Sequence, residues 1–336
     1  MPRLSIIVVV YNMARQAMNT LYSLSPSYQQ NVNANDYEVI VIENASANTL
    51  DPQQIHELGH NMHYTLRQDS GVSPAAAINE GFRQARAPFI GLLIDGARMV
   101  TPRVIEYALA SARMSEHALV TVTGFNLGPE LHYHVDSAYG EEQEKSLLEQ
   151  IHWQQNGYRL FDISNLGEAN PRGLFQPFME NNCYFSSREN FRDIGFADEQ
   201  FQLPGGGSLN LHMYRSIGML PRCEHYVVMA GEANFHQFHG GVTTAQRSDR
   251  EDLLRQFREQ LEQIWGGRFP ALEREPLLIG AVTSHAQGLL HYSSVRGQKR
   301  FNRLHENQVI FCQDDRQRSG FRYQSDTGLF TKCDPR

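Results

Sequence analysis

Polar side chains that could bind a ligand follow three apolar, strand-like runs in the first hundred residues. They are Tyr11 and Asn12 after the first run, Glu43 and Asn44 after the second, and Asp95 after the third. An aromatic ring can stack on a flat ring of a ligand, and a carboxylate or amide can hydrogen-bond hydroxyl or N–H groups. A carboxylate can also hold a divalent ion that bridges phosphate oxygens. The alternative interpretation is structural, because Asn tolerates turn geometry after a strand and Asp commonly begins a turn.

An alternation of strand and helix patterns positions these side chains. Strands are predicted at residues 4–10, 39–42, 63–66, 89–94 and 118–123, and helices at 14–24, after Ser73-Pro74 and after Thr101-Pro102. The first run is apolar on both faces, which is typical of a strand covered by helices. The alternation indicates right-handed crossovers and an α/β fold with a mostly parallel sheet flanked by helices. Ligands of such sheets bind beyond the carboxyl ends of the strands, where these polar side chains stand.

The rest of the chain has a looser pattern. Gly and Pro are spread among aromatics after residue 124, which predicts an irregular half on the substrate side. A Ser248-x-x-Glu251 capping box begins an amphipathic helix that is expected to pack on the core. The polar, Arg-rich end of the chain is expected to be loosely ordered. The predicted units are a domain 1–241, divided into halves 1–124 and 125–241, a helical extension 242–295 and a tail 296–336.

Composition excludes several classes of protein. The 336 residues include 37 acidic and 30 basic side chains, for a net charge of −7. Because binding to nucleic acid depends on Lys and Arg that neutralise phosphates, no nucleic-acid partner is expected. No Gly follows the first strand and no G-x-x-x-x-G-K-[ST] occurs, which argues against dinucleotide and P-loop sites.

The sequence also bears on location. The longest apolar run is far below the ~20 residues of a membrane helix and lacks a cleavage site, so neither a transmembrane segment nor a signal sequence is predicted. The four cysteines form no C-x-x-C, which fits a reducing cytosol. Arg296, Lys299, Arg300 and Arg303 form a basic cluster that could meet lipid headgroups at the inner membrane face, and the alternative is a solvated tail.

Five segments resemble the family 2 glycosyltransferases of the GT-A fold, and together they cover about residues 4 to 241. LSIIVVVYN and YEVIVIENAS look like the first two nucleotide-binding strands, and GVSPAAAINEGFRQARAPFIGLLIDGARMVTP looks like the segment that leads into the metal motif. NNCYFSSRENFRDIGFADEQF looks like the acceptor-side segment, and FHQFHGG like the segment of the late metal-holding histidine. The resemblance implies a GT-A-like fold and transfer of a sugar, with inversion, from a nucleoside diphosphate sugar to a hydroxyl acceptor.

The resemblance also implies roles for individual residues. Those implied to contact the donor are Tyr11, Asn12, Glu43, Asn44, Gly71, Asn79 and Asp95. Asp95 and His239 are implied to hold a divalent cation, Mn²⁺ or Mg²⁺, that stabilises the departing diphosphate. His239 is preferred to His236 because it precedes Gly240-Gly241, where backbone can approach a phosphate closely. His236 is expected to be structural.

The sequence departs from the family at the metal motif. The usual Asp-x-Asp reads Asp95-Gly96-Ala97, so the second carboxylate is missing. Cation binding then depends on Asp95 with His239. Alternatively, the His236-x-x-His239 spacing with an aspartate could belong to a metal hydrolase that holds zinc.

A second departure concerns the catalytic base. Ser208 stands where inverting members carry the carboxylate that deprotonates the acceptor, and an unactivated hydroxyl cannot do this near neutral pH. Glu180 is predicted as the substitute, because burial beside apolar groups can raise the pKa of a glutamate. His212 and Asp198 are the alternatives. Since both family carboxylates are missing, the alternative function is a catalytically impaired protein that binds nucleotide sugars or acts as a scaffold.

Overall fold

A computed structural model describes residues 1–69, 71–132, 139–240, 249–304, 309–314, 317–324 and 329–332 of the chain. The strands of its main sheet are β1 (Leu4–Val10), β2 (Tyr37–Asn44), β3 (Met62–Arg67), β4 (Phe89–Leu93), β5 (Arg98–Val100), β6 (Leu119–Leu127), β7 (Ser164–Leu166), β8 (Cys183–Ser187), β9 (Tyr226–His236) and β10 (Pro276–Ile279). The helices are α1 (Ala14–Ser23), α2 (Pro52–Leu58), α3 (Ala75–Gln84), α4 (Val104–Met114), α5 (Glu141–Ile151), α6 (Arg188–Asp193), α7 (Leu209–Met219), α8 (Arg250–Trp265) and α9 (Gln287–Leu304).

The direction of the strands decides which ends meet at one edge of the sheet. The strand order is β10-β9-β6-β8-β4-β1-β2-β3, with β5 beside β9 and β7 beside β6. Strand β8 runs antiparallel to β4 and β6, and the other neighbours along this order are parallel. The carboxyl ends of β1, β2, β4 and β9 therefore lie at the same edge. The predicted class, α/β with a mostly parallel sheet flanked by helices, is confirmed.

The central strands are apolar on both faces because both faces are covered. Ile7 and Val9 of β1 belong to one buried cluster, and Ile6 and Val8 belong to the cluster on the opposite face. Complete burial of one such side chain stabilises the fold by about 1.5–3 kcal/mol. Helix α3 approaches β1 closely, since a Cβ on Gly81 would lie 2.5 Å from Ile7 Cγ2.

The regular first half follows the sequence predictions. Strand β1 coincides with the predicted run 4–10, and β2, β3, β4 and β6 overlap the other predicted strands. Helix α3 follows Ser73-Pro74, and Ser73 Oγ accepts a hydrogen bond from Ala75 N at 3.3 Å. Predicted caps and β-branched runs are local signals, which is why they identify these elements.

Strand β9 is not predicted by the sequence pattern. It contains Gly231, Glu232 and Asn234, which are poor strand formers, yet all of its residues are buried. The Glu232 carboxylate accepts hydrogen bonds from Tyr158 Oη at 2.8 Å and from Arg103 N at 3.2 Å. Burial raises the pKa of this carboxyl group. Partners from distant parts of the chain thus make a polar residue acceptable in a buried strand.

The main sheet extends beyond the predicted domain boundaries. Strand β9 pairs in parallel with β6 and β10, so the half 125–241, expected to be irregular, supplies a long parallel strand. Strand β10 lies inside the predicted extension 242–295. Helix α9 crosses the boundary predicted at 295/296.

The C-terminal part contains further regular elements. Helix α8 buries Phe257 and Leu261, while Ser248, predicted to cap it, lies outside the described residues, as does Gly241. Within the predicted tail, β11 (Val309–Asp314), β12 (Gln317–Gln324) and β13 (Leu329–Lys332) form an antiparallel sheet. Among the residues that the structure describes, no helix is both long and apolar enough to cross a membrane.

Candidate functional site

Three potential metal ligands meet at the carboxyl edge of the sheet. Asp95 follows β4, His236 ends β9, and His239 lies three residues further on. One carboxylate oxygen of Asp95 and one ring nitrogen of each histidine lie within 4.8 Å of one another. The structure therefore brings Asp95 and His239 together, and it adds His236, which the sequence analysis expected to be structural. The H-x-x-H spacing was the signal for both imidazoles.

The two imidazoles contact each other, and burial favours their neutral form. His236 Nε2 and His239 Nε2 form a hydrogen bond of 2.9 Å. Burial lowers the pKa of both side chains, and the positive charge of Arg98 lowers that of His236 further. Neutral imidazole is the form that ligates metals. One carboxylate and two neutral imidazoles are thus a donor set that fits a divalent cation.

Arg98 places a positive charge beside this cluster. Its Nε donates to Asp95 Oδ2 at 2.9 Å, and its Nη1 donates to Asn234 Oδ1 at 3.3 Å. The other Asp95 oxygen accepts from Ala97 N at 3.1 Å. Ala97 stands at the position of the missing second carboxylate and is fully buried, so this position contributes only backbone. The next residue, Arg98, is a buried cation. Arg98 has no signal in the sequence, because only pairing of β5 with β9 brings it opposite His236.

The loop that carries His239 is fixed by residues far away in sequence. Phe238 N donates to Glu144 Oε2 at 2.6 Å, and Phe238 O accepts from Gln16 Nε2 at 2.7 Å. Arg15 Nη2 donates to Glu144 Oε1 at 3.0 Å. Burial raises the pKa of Glu144 to about 7, against the opposing effects of the Phe238 N–H and of Arg15. None of these positioning residues has a local sequence signal.

Glu43 has one carboxylate oxygen without a partner at the end of β2. Its side chain is fully buried, and Oε2 accepts from Tyr64 Oη at 2.6 Å and from Leu50 N at 2.9 Å. Burial and the Glu43 carboxylate raise the pKa of Tyr64, so this hydroxyl keeps its proton. Within the described residues, Glu43 Oε1 accepts no hydrogen bond. A donor group of a bound ligand would satisfy it.

The loops after β1 and β2 are tied together through Asn12. Asn12 N donates to Ser46 Oγ at 2.9 Å, and Asn12 Oδ1 accepts from Ala47 N at 2.8 Å. Its φ of +50° fits the turn geometry that Asn tolerates. Asn44 is buried, whereas Tyr11 is 53% exposed and leaves a ring face available at the rim.

Gly71 and Asn79 lie on the side of the acceptor segment. Gly71 is exposed just before α3. Asn79 Nδ2 donates to Ala197 O at 2.9 Å and to Glu199 Oε1 at 3.0 Å, and Asn79 Oδ1 accepts from Ala197 N at 3.0 Å. The Asn79 amide thus holds the acceptor segment in place.

The carboxylate predicted as the base lies beside α7. Ser208 Oγ donates to Phe257 O at 3.2 Å, which gives this hydroxyl a structural contact. On the first turn of α7, Asn210 Nδ2 donates to Glu180 Oε1 at 3.0 Å and to Asn182 Oδ1 at 2.8 Å. Glu180 is therefore held close to the position where the family's carboxylate is missing.

The two alternative bases have other contacts. His212 Nδ1 accepts from Trp265 Nε1 at 2.8 Å, and its ring packs on Phe201 with a centroid distance of 5.1 Å. Burial lowers the pKa of His212. Asp198 accepts from Gln200 N at 2.9 Å in a local turn. Both arrangements are those of residues that stabilise local structure.

A family model matches part of this chain. The fold is that of an α/β protein, and its potential metal ligands lie at the carboxyl edge of the sheet, where such sheets commonly bind ligands. Residues 5–166 match the family model described as Glycosyl transferase family 2. This match confirms the resemblance to family 2 glycosyltransferases over that part of the chain. No curated protein matches the chain.

Several solved structures are similar to this chain. S. aureus TarS 1-349 in complex with UDP-GlcNAc has 14% identity and a TM-score of 0.49, over 91% of this chain and 76% of that chain. The same protein in complex with UDP has 14% identity and a TM-score of 0.47, over 90% and 72%. The mannosyltransferase PcManGT from Pyrobaculum calidifontis, in complex with GDP-Man and Mn²⁺, has 14% identity and a TM-score of 0.40, over 88% and 70%.

Proposed function

We propose that this chain transfers a sugar from a nucleoside diphosphate sugar to a hydroxyl acceptor with inversion. The observation that carries this proposal is the grouping of Asp95, His236 and His239 at the same sheet edge as the unpaired Glu43 Oε1. A diphosphate needs a cation held by the metal ligands, and a nucleoside needs a hydrogen-bond acceptor such as Glu43 Oε1. The cytoplasmic location is part of the proposal and is supported by the free, buried thiols of Cys183 and Cys223.

The nucleoside would bind at the ends of β1 and β2. The exposed ring of Tyr11 can stack on the base, and Glu43 Oε1 can accept a hydrogen bond from the base or ribose. Asn12 and Asn44 would shape this pocket, since Asn12 joins the two loops. We propose that Gly71 contributes backbone to the rim. The role proposed for Asn79 is indirect, through its contacts with the acceptor segment.

Asp95, His236 and His239 would hold a divalent cation. When bound, such an ion neutralises the negative charge that develops on the departing diphosphate. The mixed oxygen and nitrogen ligands favour a transition-metal ion such as Mn²⁺ over Mg²⁺, which prefers oxygen ligands. Arg98 would share the task, because its permanent charge already lies beside Asp95.

Glu180 would act as the base. Its carboxylate takes the proton of the acceptor hydroxyl while the acceptor oxygen forms its bond to the anomeric carbon. The bond from that carbon to the diphosphate oxygen breaks on the opposite face, which inverts the configuration. Asn210 orients Glu180, and holding both substrates in line supplies a large part of the rate.

Two other functions have specific support. A protein that binds nucleotide sugars without transferring them is supported by Ala97 and Ser208, which replace the family's carboxylates. A metal hydrolase is supported by the three clustered ligands and predicts tightly bound, stoichiometric zinc.

A thermal-shift screen with uridine, guanosine, thymidine and cytidine diphosphate sugars, each with and without Mn²⁺, tests the proposal. One donor should stabilise the chain by about 2.7 kcal/mol at a hundredfold excess over its dissociation constant. Release of nucleoside diphosphate in the presence of acceptors then separates transfer from binding alone. No response to any donor would contradict the proposal.

A further inference from the structure

Two adjoining cavities near Glu180 are lined by cations. The first has a volume of about 430 Å³ and contains Arg172, Arg215 and Arg268 together with Phe269 and Met179. The second has a volume of about 300 Å³ and contains Arg172, Arg296, Lys299 and Arg300. Arg172 lines both. We call the two together the basic groove, defined by Arg172, Arg215, Arg268, Arg296, Lys299 and Arg300.

The charge of the basic groove is largely uncompensated. No carboxylate is among the residues that line either cavity, although the whole chain has a net charge of −7. In the described part of the chain, Arg172 and Arg268 take part in no ion pair. Arg300 pairs with Glu275 at 2.9 Å, but the Glu275 side chain is 80% exposed and lies outside the lining.

One arginine of the first cavity, Arg215, is held in place by the fold. Arg215 Nη2 donates to Met179 O at 2.9 Å and Nη1 donates to Pro270 O at 3.1 Å. Its guanidinium lies 5.1 Å from the ring centroid of Phe269. Burial lowers the pKa of Arg215, and the charge of Arg172 lowers it further. Fixed like charges around an open volume attract an anion, and guanidinium groups match the oxygens of phosphate.

The basic groove adjoins the proposed base. Met179, in the wall of the first cavity, directly precedes Glu180, and Arg215 is on α7 with Asn210, which binds Glu180. The Glu180 charge also acts on Arg215. A chain bound in the basic groove would therefore present its hydroxyl groups near Glu180.

We propose that the basic groove binds the acceptor, and that this acceptor is a chain bearing phosphate groups. The inference rests on the proposed function, since it names the acceptor class of that site. The cations line two cavities, and two of them, Arg215 and Arg300, are anchored against carbonyl oxygens. This shape admits a flexible phosphate-bearing chain and not a flat lipid surface.

Binding of labelled linear polyphosphate to the full chain, followed by fluorescence anisotropy, tests the inference. Arg172→Gln combined with Arg268→Gln removes two cations that have no ion pair, so the variant should fold normally. We expect its affinity for polyphosphate to fall about tenfold or more. Arg255→Gln, on the exposed face of α8, is the matched control and should bind like the wild type. Unchanged affinity in the double variant, or an equal loss in the control, would overturn the proposal.

Vesicles distinguish the two sources of phosphate. Phosphatidylcholine vesicles with added phosphatidylglycerol should bind more weakly than polyphosphate, and polyphosphate should displace them. Tight vesicle binding that resists polyphosphate would assign the cations to a membrane surface and overturn the acceptor proposal.

Donor binding distinguishes the failure of the acceptor proposal from the failure of the proposed sugar transfer. The double variant should keep the wild-type thermal response to the donor while it loses polyphosphate. A wild-type chain that binds polyphosphate in the basic groove but responds to no donor would contradict the proposed transfer and leave an anion-binding groove without an acceptor role.

Discussion

The Asn210 amide donates to the Glu180 carboxylate at 3.0 Å and so holds that carboxylate against the first turn of α7. The same amide donates to Asn181 O at 2.9 Å and to Asn182 Oδ1 at 2.8 Å. Backbone contact continues from this segment to the metal cluster, because Asn182 O accepts from Ile94 N, next to Asp95, at 3.4 Å. A glutamate from another segment thus stands near the place where the family's own carboxylate is missing.

Glu180→Gln should abolish transfer and leave donor binding intact. The amide keeps the size of the side chain and cannot take a proton, and general base catalysis commonly contributes 10²–10⁴-fold, so we expect the rate to fall by about that factor. Initial rates of nucleoside diphosphate release measure it. Asp198→Asn, in the turn that holds Gln200, is the control and should retain activity. Equal activities of the two variants would remove Glu180 as the base.

Substitution of the metal cluster should weaken cation binding. Asp95→Asn or His239→Gln removes one of three ligands, and we expect affinity for Mn²⁺ to fall at least about tenfold in calorimetry. His225→Gln, at an exposed histidine, is the control. If Mn²⁺ binds equally well to all three variants, the cluster is not the cation site. Stoichiometric zinc in the purified protein would instead favour the hydrolase.

Arg98→Gln should make donor binding more dependent on a divalent cation. Without the guanidinium, Asp95 loses the partner 2.9 Å away, so a cation at this carboxylate meets less repulsion and should bind more tightly. The same change removes a charge that would stabilise the diphosphate. Donor affinity measured with a chelator should fall, whereas with Mn²⁺ it should change little. Arg83→Gln on α3 is the control. If the ratio of donor affinity with Mn²⁺ to donor affinity with a chelator is unchanged in Arg98→Gln, Arg98 does not have this role.

Glu144 should give stability a pH dependence of defined sign. Burial raises the pKa of its carboxyl group from 4.5 to about 7, so between these values the folded chain holds a proton that the unfolded chain has lost. Its contribution to stability is complete below the lower value and is lost as the pH rises through the upper one. The slope reaches about 1.4 kcal/mol per pH unit.

Urea unfolding at about pH 5 and about pH 8 measures the Glu144 effect. Glu144→Gln should reduce the loss of stability on raising the pH. Glu142→Gln, on the exposed face of the same helix, should behave like the wild type. The same loss in wild type and Glu144→Gln would show that this carboxyl group titrates normally.

Asn79→Ala should destabilise the chain without affecting donor affinity. The substitution removes the hydrogen bonds to Ala197 and Glu199, and we expect a loss of about 1–3 kcal/mol in the free energy of unfolding. Arg83→Ala on the same helix should cost less. A tenfold loss of donor affinity at unchanged stability would return Asn79 to the donor site.

Local signals explain which parts of the molecule could be predicted. The β-branched residues of β1 and the Ser73-Pro74 start of α3 act within a few neighbours, and both elements were predicted closely. Strand β9 was missed because Glu232 is compatible with burial through contacts with Tyr158 and Arg103, which follow no pattern in the sequence. Long-range contacts of this kind produce no periodic pattern in the sequence.

In the candidate site, too, residues with local signals were predicted, and residues placed by long-range contacts were missed. Asp95 was predicted from the strand that precedes it, and His239 from the resemblance to the family, and the structure places the two together. Arg98 and Glu144 were missed, because their partners His236 and Phe238 come from the other half of the chain.

Strand β10 also has a protective consequence. It covers the outer backbone of residues 226–229 in β9, where each of its four residues has a partner. A chain shortened to end before residue 276 would present those N–H and C=O groups to solvent at the margin of the sheet. Unpaired sheet edges form hydrogen bonds with strands from other molecules. The shortened protein should therefore self-associate, even though every ligand of the metal cluster is still present.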